Sequence, residues 1–187
     1  MIDLSSALSQ TAAFRLQQEN ESLRRLLGAS LPAGWPLQPA KILSFKNNVL
    51  TLNVGLKDGV ETGMNVLVVA GADGHTGIII GKINQAQVYL SQASLIDGAK
   101  VTTSDGATGK LARQNQSLQL IDVEQKYSLR PDDLIFTAGT DGWLPDLLVG
   151  RVGKIEMIPT AIYQTAIVVP AIDLSVISQV VVVKLAI

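Results

Sequence analysis

Hydrophobic and polar positions fall into three successive regimes along the chain. From Ala7 to Leu27 there is neither Gly nor Pro, and Leu16, Asn20, Leu23 and Leu27 recur at spacings of four, three and four. This is a d–a–d–a heptad register, with Ala13 as the preceding a position. Ser5 or Ser6 can cap such a helix, Gly28 can end it, and Arg24 and Arg25 suit the dipole of its last turn. The pattern predicts a coiled-coil helix over residues 1–28 with Ala13, Leu16, Asn20, Leu23 and Leu27 as its dimerisation seam. An Asn at an a position favours a parallel dimer in fixed register, because its amide is satisfied only against its symmetry mate. Toward Ser9 and Ser6 the seam fades, leaving about two heptads. Helices this short are marginal alone, so docking on the chain's own domain is the alternative.

The second regime, residues 29–41, is a linker carrying Pro32, Pro36 and Pro39. Proline withholds its backbone donor, so the segment is expected to be an extended, stiff spacer and not a helix or central strand. Trp35 is expected to pack on the domain that follows. The third regime is short apolar runs cut by glycine. Strands are predicted at Val49–Val54, Val66–Val69, Ile78–Ile80, Val88–Leu90 and Lys100–Thr103, then near 118–123, 134–137, 147–155, 164–169 and 180–185. Asp58-Gly59, Asp73-Gly74, Asp97-Gly98, Asp105-Gly106 and Asp141-Gly142 punctuate them, and Asp-Gly tolerates the left-handed backbone of tight turns.

The fold class expected is mainly β: an N-terminal α-helix (coiled coil) followed by two small β-barrel or sandwich-like domains. The first domain is placed at residues 42–105 and the second at 106–187, with the C-terminal strand free to pair with either lobe. An internal echo supports two units. Ala70-Gly71-Ala72-Asp73-Gly74 leads to Gly81-Lys82-Ile83, and Ala138-Gly139-Thr140-Asp141-Gly142 leads to Gly150-Arg151-Val152, an offset of 138 minus 70, or 68 residues.

Composition narrows the function. Hydrophobic residues make up 47% of the 187 positions and charged residues 17%, so the chain can build a core. The net charge of −1, with scattered Lys and Arg, argues against a nucleic-acid partner. The absence of cysteine removes disulfides, thiolate metal sites and cysteine nucleophiles. No apolar run reaches the roughly 18 residues of a membrane span, and the apolar C-terminal stretch is broken by Pro170 and Asp173. Membrane attachment is therefore expected only through an anchor outside these residues. A triad would have to use His75, the single histidine, yet no serine sits in a Gly-x-Ser-x-Gly elbow. Scattered aspartates read as turn formers, not metal ligands. No cofactor, catalytic residue or metal site is expected.

Four motifs stand in order along the chain. Leu16 to Leu27 has the form L-x-x-E-N-x-x-L-x-x-L-L. Gly55, Asp58-Gly59-Val60 and Gly63-Met64-Asn65-Val66 form a strand–turn–strand signature. Asp133, Thr137, Gly139, Gly142, Pro145, Gly150 and Val152 are similar to G-D-x-V-x-T-S-G-x-x-G-x-F-P-x-G-x-x-V-G-x-V, and Pro170-Ala171-Ile172-Asp173-Leu174 to a closing P-A-A-D-L. Together they resemble the MreC family of rod-shape-determining proteins, with Asp132 and Asp146 where that family has Gly and Leu144 where it has Phe. The resemblance implies a non-catalytic scaffold of the cell-elongation machinery, on the extracytoplasmic face of the cytoplasmic membrane. It implies self-association as a homodimer or higher assembly, and MreD, RodA and a class B penicillin-binding transpeptidase as partners. Such a scaffold is expected to bind through β-edges and apolar patches on its outer strands. A periplasmic adaptor of an export system is the alternative, and a two-lobed hydrolase a further one.

Overall fold

A computed structural model of the chain describes residues 31–32, 34–70, 76–114, 117–157 and 160–185. The seam residues Ala13, Leu16, Asn20, Leu23 and Leu27, and also His75, lie outside the described residues. Within them the short alternating runs form twelve strands, joined by turns and one 3-10 turn at Leu56–Asp58. In chain order they are β1 (Leu37–Lys46), β2 (Val49–Leu52), β3 (Asn65–Ala70), β4 (Thr76–Ala86), β5 (Ser91–Leu95) and β6 (Lys100–Thr103). The remainder are β7 (Thr108–Gln114), β8 (Ser117–Glu124), β9 (Leu134–Ala138), β10 (Pro145–Glu156), β11 (Tyr163–Pro170) and β12 (Gln179–Val183).

These strands close into two six-stranded rings. The first runs β4-β3-β12-β1-β2-β5 and is closed by β5 against β4; the second runs β10-β9-β6-β7-β8-β11 and is closed by β11 against β10. The two orders coincide when β12 is set against β6, β1 against β7, and so on to β5 against β11. The echo seen in the sequence lies at matching places: Gly81 faces Val66 across β3–β4, and Gly150 faces Ile135 across β9–β10. A Cβ at Gly81 would lie 2.0 Å from the Ser94 carbonyl, and one at Gly150 would lie 2.2 Å from that of Val169. Both glycines therefore let the closing strand approach. Alternation fills each ring, with Leu50, Leu52, Val66, Ile83 and Val182 in one and Leu111, Leu120, Val123 and Ile135 in the other.

Strand pairing corrects the boundaries drawn from the sequence. β6 precedes the expected border at 105/106 yet pairs with β7 and β9 in the second ring, while β12 returns to pair with β1 and β3 in the first. Long-range pairing of this kind leaves no local signal in the chain. Pro39, assigned to the linker, lies within β1 opposite Val181. It is tolerated because β1 pairs with β2 only from Ile42 onward, so no second neighbour needs its missing donor. Val88–Leu90, expected as a strand, is a turn.

The rings meet at a parallel contact, Ile78 beside Leu148. Leu67, Ile79 and Val183 of the first ring leave its own core and cluster with Trp143, Leu144 and Leu147 of the second. Leu31 and Trp35 pack on this same seam cluster. Trp35, expected on the first domain, packs on this cluster, which draws residues from both rings.

Candidate functional site

No group of three or more His, Cys, Asp or Glu side chains that could hold a metal occurs among the described residues. No described helix is long and apolar enough to cross a membrane. Exposed apolar side chains mark the surface instead: Leu37, Leu43 and Phe45 on β1, Val176 on the segment before β12, and two groups described next, one on each barrel.

The first patch is a knob built from two turns. Leu56, Val88 and Tyr89 are all more than half exposed, and Leu90 stands beside them. Backbone hydrogen bonds weld the turns: Leu56 N donates to Gln87 O (2.8 Å), Lys57 N to Val88 O (3.1 Å), and Gln87 N to Leu90 O (2.8 Å). Those bonds divert Val88–Leu90 from strand geometry. The Lys57 ammonium lies 4.5 Å from the Tyr89 ring centroid and adds a cation–π contact. Motif residues form the base of the knob. Gly55 has no room for a Cβ, which would lie 2.1 Å from Gln87 O. The Asp58 carboxylate accepts from Gly55 N at 3.0 Å. Gly59 and Gly63 take left-handed backbone at φ 74 and 95, and Gly63 N donates to Ile83 O at 2.8 Å.

The second patch is the outer face of β11. Gln164, Ala166 and Val168 point inward and are buried, so Tyr163, Ile167 and Val169 stand outward and exposed. Ile162 and Met157, at the end of the β10–β11 hairpin, extend the patch. The buried Gln164 side-chain amide donates to Tyr127 O at 2.6 Å, which pins the strand from beneath.

The other motif residues serve the frame. The Asp133 carboxylate accepts from Arg130 N at 2.8 Å. The buried Thr137 hydroxyl donates to Leu144 O (2.5 Å) and accepts from Leu147 N (3.0 Å), closing the loop that carries Gly139, Gly142 and Pro145. Gly139 and Gly142 both have φ 74. Asp132 (φ 71) and Asp146 (φ 58) are left-handed as well. Asp is among the few side chains that tolerate that backbone. Pro170, which follows Val169 at the end of β11, and Asp173 both line a cleft at the junction of the barrels.

Sequence reasoning missed the residues that lock the barrels together. Asn65 is fully buried; its amide donates to Gly142 O at 3.0 Å, and its carbonyl accepts from Leu144 N at 3.3 Å. Lys82 Nζ sits 4.2 Å from the Trp143 ring centroid and donates to Asp141 O at 2.9 Å. Burial lowers the Lys82 pKa and the Asp141 carboxylate opposes that shift. Asn65 and Lys82 stood inside motifs read for their turns and glycines, and nothing local pointed to contacts 77 and 59 residues away.

The rod shape-determining protein MreC barrel-core model matches residues 41–184. The cell shape-determining protein MreC of Geobacillus stearothermophilus is 28% identical over 192 residues, covering 90% of this chain. This chain spans 64% of that relative's length. The MreC structure from Listeria monocytogenes superposes with a TM-score of 0.69 at 21% identity, covering 96% of this chain and 90% of that one. A structure described as a complex between a penicillin-binding protein (PBP2) and MreC from Helicobacter pylori matches with a TM-score of 0.58 at 16% identity, covering 80% of this chain and 98% of that one. With the barrel core matched over most of its length and both rings in place, this chain belongs to the rod shape-determining MreC family.

Proposed function

We propose that this chain is a non-catalytic scaffold of the cell-wall elongation machinery, working on the extracytoplasmic face of the cytoplasmic membrane. It associates with itself and holds a class B penicillin-binding transpeptidase, with MreD and RodA as further partners and an N-terminal anchor as its link to the membrane. The observation that carries this reading is the pair of separate apolar patches on one body of two joined barrels. A scaffold must hold at least two partners at once, and contiguous exposed apolar surface marks interaction sites. The Helicobacter pylori complex of PBP2 with MreC supports the transpeptidase as one of them. The parallel seam at Ala13, Leu16, Asn20, Leu23 and Leu27 is proposed to start self-association.

Tyr89→Asp and Ile167→Asp test the assignment, one in each patch. Binding of the penicillin-binding transpeptidase ectodomain is measured by calorimetry, and self-association by sedimentation. One variant is expected to abolish transpeptidase binding and leave self-association intact. Unchanged transpeptidase binding in both, with unchanged circular dichroism, would refute the patches as its docking surface.

A further inference from the structure

The segment between β11 and β12 crosses from the second barrel to the first, and a cleft of about 340 Å3 lies alongside it. Its walls come from both barrels and from the crossing segment itself. Ile79 and Ile96 line it from the first side, Leu118 and Val149 from the second, and Ile172 from the crossing. That volume is near the low end of the ~300–1,000 Å3 of ligand pockets, which favour domain junctions.

Two charged groups stand among these aliphatic walls. Arg113, on β7, is half-buried, and its Nε donates to Ile96 O at 3.1 Å, which fixes the side chain. Its terminal nitrogens hold no hydrogen bond or ion pair with any described residue. A guanidinium carries five donors in a planar fork suited to a carboxylate. Asp97 acts on Arg113 through its charge, but Asp97 Oδ1 already accepts the backbone N–H groups of Gly98 (2.9 Å) and Arg113 (3.0 Å). Asp173, on the crossing segment, uses Oδ1 to accept from Ser175 N at 2.9 Å. The Ser175 side chain engages the carboxylate as well, and the exposed group stays charged with lone pairs left to accept a further donor.

We propose that this cleft binds an extended segment of a partner protein in which an Asp or Glu stands beside a branched aliphatic residue. Arg113 takes the carboxylate, the isoleucine walls take the aliphatic side chain, and Asp173 accepts a backbone N–H of the segment. A fatty acyl chain matches less well, because it has no donor to set against Asp173. The site is independent of the two surface patches, and its test does not involve them.

The test is 13C-methyl NMR of the full chain, isoleucine-labelled, titrated with acetyl-Leu-Glu-Ile-Ala-amide. Saturable shifts are expected at the methyls of Ile79, Ile96 and Ile172, with at least tenfold weaker binding when Gln replaces Glu in the peptide. Arg113→Gln is expected to remove that tenfold preference, and Arg113→Glu to transfer it to a peptide with Lys in place of Glu. Methyl spectra outside the cleft report whether each variant keeps its fold. Absent shifts, or equal affinity for the Glu and Gln peptides, would overturn the proposal. Tighter saturation of the same methyls by octanoate would make the cleft an acyl site and overturn it too. Cleft shifts on diluting the protein alone would place a second copy there, with the same consequence.

Discussion

Replacing Asn65 by Leu is expected to loosen the two barrels from each other while leaving each barrel folded. Leu keeps the branched outline of the amide and suits the apolar seam, but its methyls are bulkier, so any overpacking adds to the loss of the two hydrogen bonds. Leu144 N is in a buried residue and would lose its acceptor, and an unsatisfied buried group costs ~1–3 kcal/mol. Gly142 O is partly open to solvent and can turn to water, so only the ordinary net worth of a bond, ~0.5–1.5 kcal/mol, is lost there. The two hydrogen bonds together amount to about 1.5–4.5 kcal/mol, measured by urea unfolding. Both tryptophans report on the right place, since Trp143 belongs to the seam cluster and Trp35 packs on it. Their emission is expected to change at lower urea than the β-sheet circular dichroism, splitting a transition that coincides in the parent. Lys82→Met, which keeps the stem but removes the cation over Trp143, is expected to cost ~0.5–1 kcal/mol. Because both side chains grip one turn, the double variant is expected to be non-additive. A loss under about 0.5 kcal/mol for Asn65→Leu, with coincident transitions, would refute the seam as an energetic lock.

Two further outcomes follow from the frame. Gly81→Ala and Gly150→Ala occupy matching places in the two rings, and each would press a Cβ onto a backbone carbonyl of the closing strand. Both are expected to destabilise by at least the upper end of the ~1–3 kcal/mol of overpacking, and a negligible change in the urea midpoint of either would contradict the matched-ring reading. Asp173 is held below the usual carboxylate range, chiefly by the Ser175 backbone N–H. A folded pKa below the unfolded one means its stabilisation is present above the unfolded value and disappears as pH falls through the folded value. The stability gap between the parent and Asp173→Asn is therefore expected to close as urea midpoints are followed into acid, and a gap independent of pH would exclude that role.

How much of this was legible in the sequence depends on which side chains fill the inward positions. β8 buries Leu118, Leu120 and Val123, and β10 buries Leu147, Val149 and Val152, so they read as strands despite the bulges. β5 alternates just as well, but its inward residues are Ser91, Ala93 and Leu95, and two small residues in three hide the period. β7 has only Leu111 as a fully buried large residue. Val88-Tyr89-Leu90 erred in the opposite direction. Three apolar letters in a row resemble a strand, yet the backbone bonds to the Leu56–Asp58 turn hold them out in solvent. The Asp-Gly pairs did mark left-handed backbone: Gly59, Gly98, Gly106 and Gly142 all have positive φ. Asn65 was illegible because its partners lie 77 and 79 residues away, and no local pattern announces a contact that distant. The return of β12 to the first ring was hidden for the same reason.

Ring closure decides what kind of partner these barrels can take. Both rings close, so each strand has a neighbour on each side over at least part of its length, while residues 37–40 of β1 pair with β12 alone. Little edge is left for strand addition, and side chains on the outer faces offer the larger docking surface. The distinction has a practical consequence. Strand addition draws its affinity from main-chain hydrogen bonds, which tolerate most single substitutions, whereas face docking concentrates it in a few buried anchors. Tyr89 and Ile167 are candidates for such anchors. Under the proposed scaffold role, a single Asp at the right one is expected to abolish transpeptidase binding while both barrels stay closed.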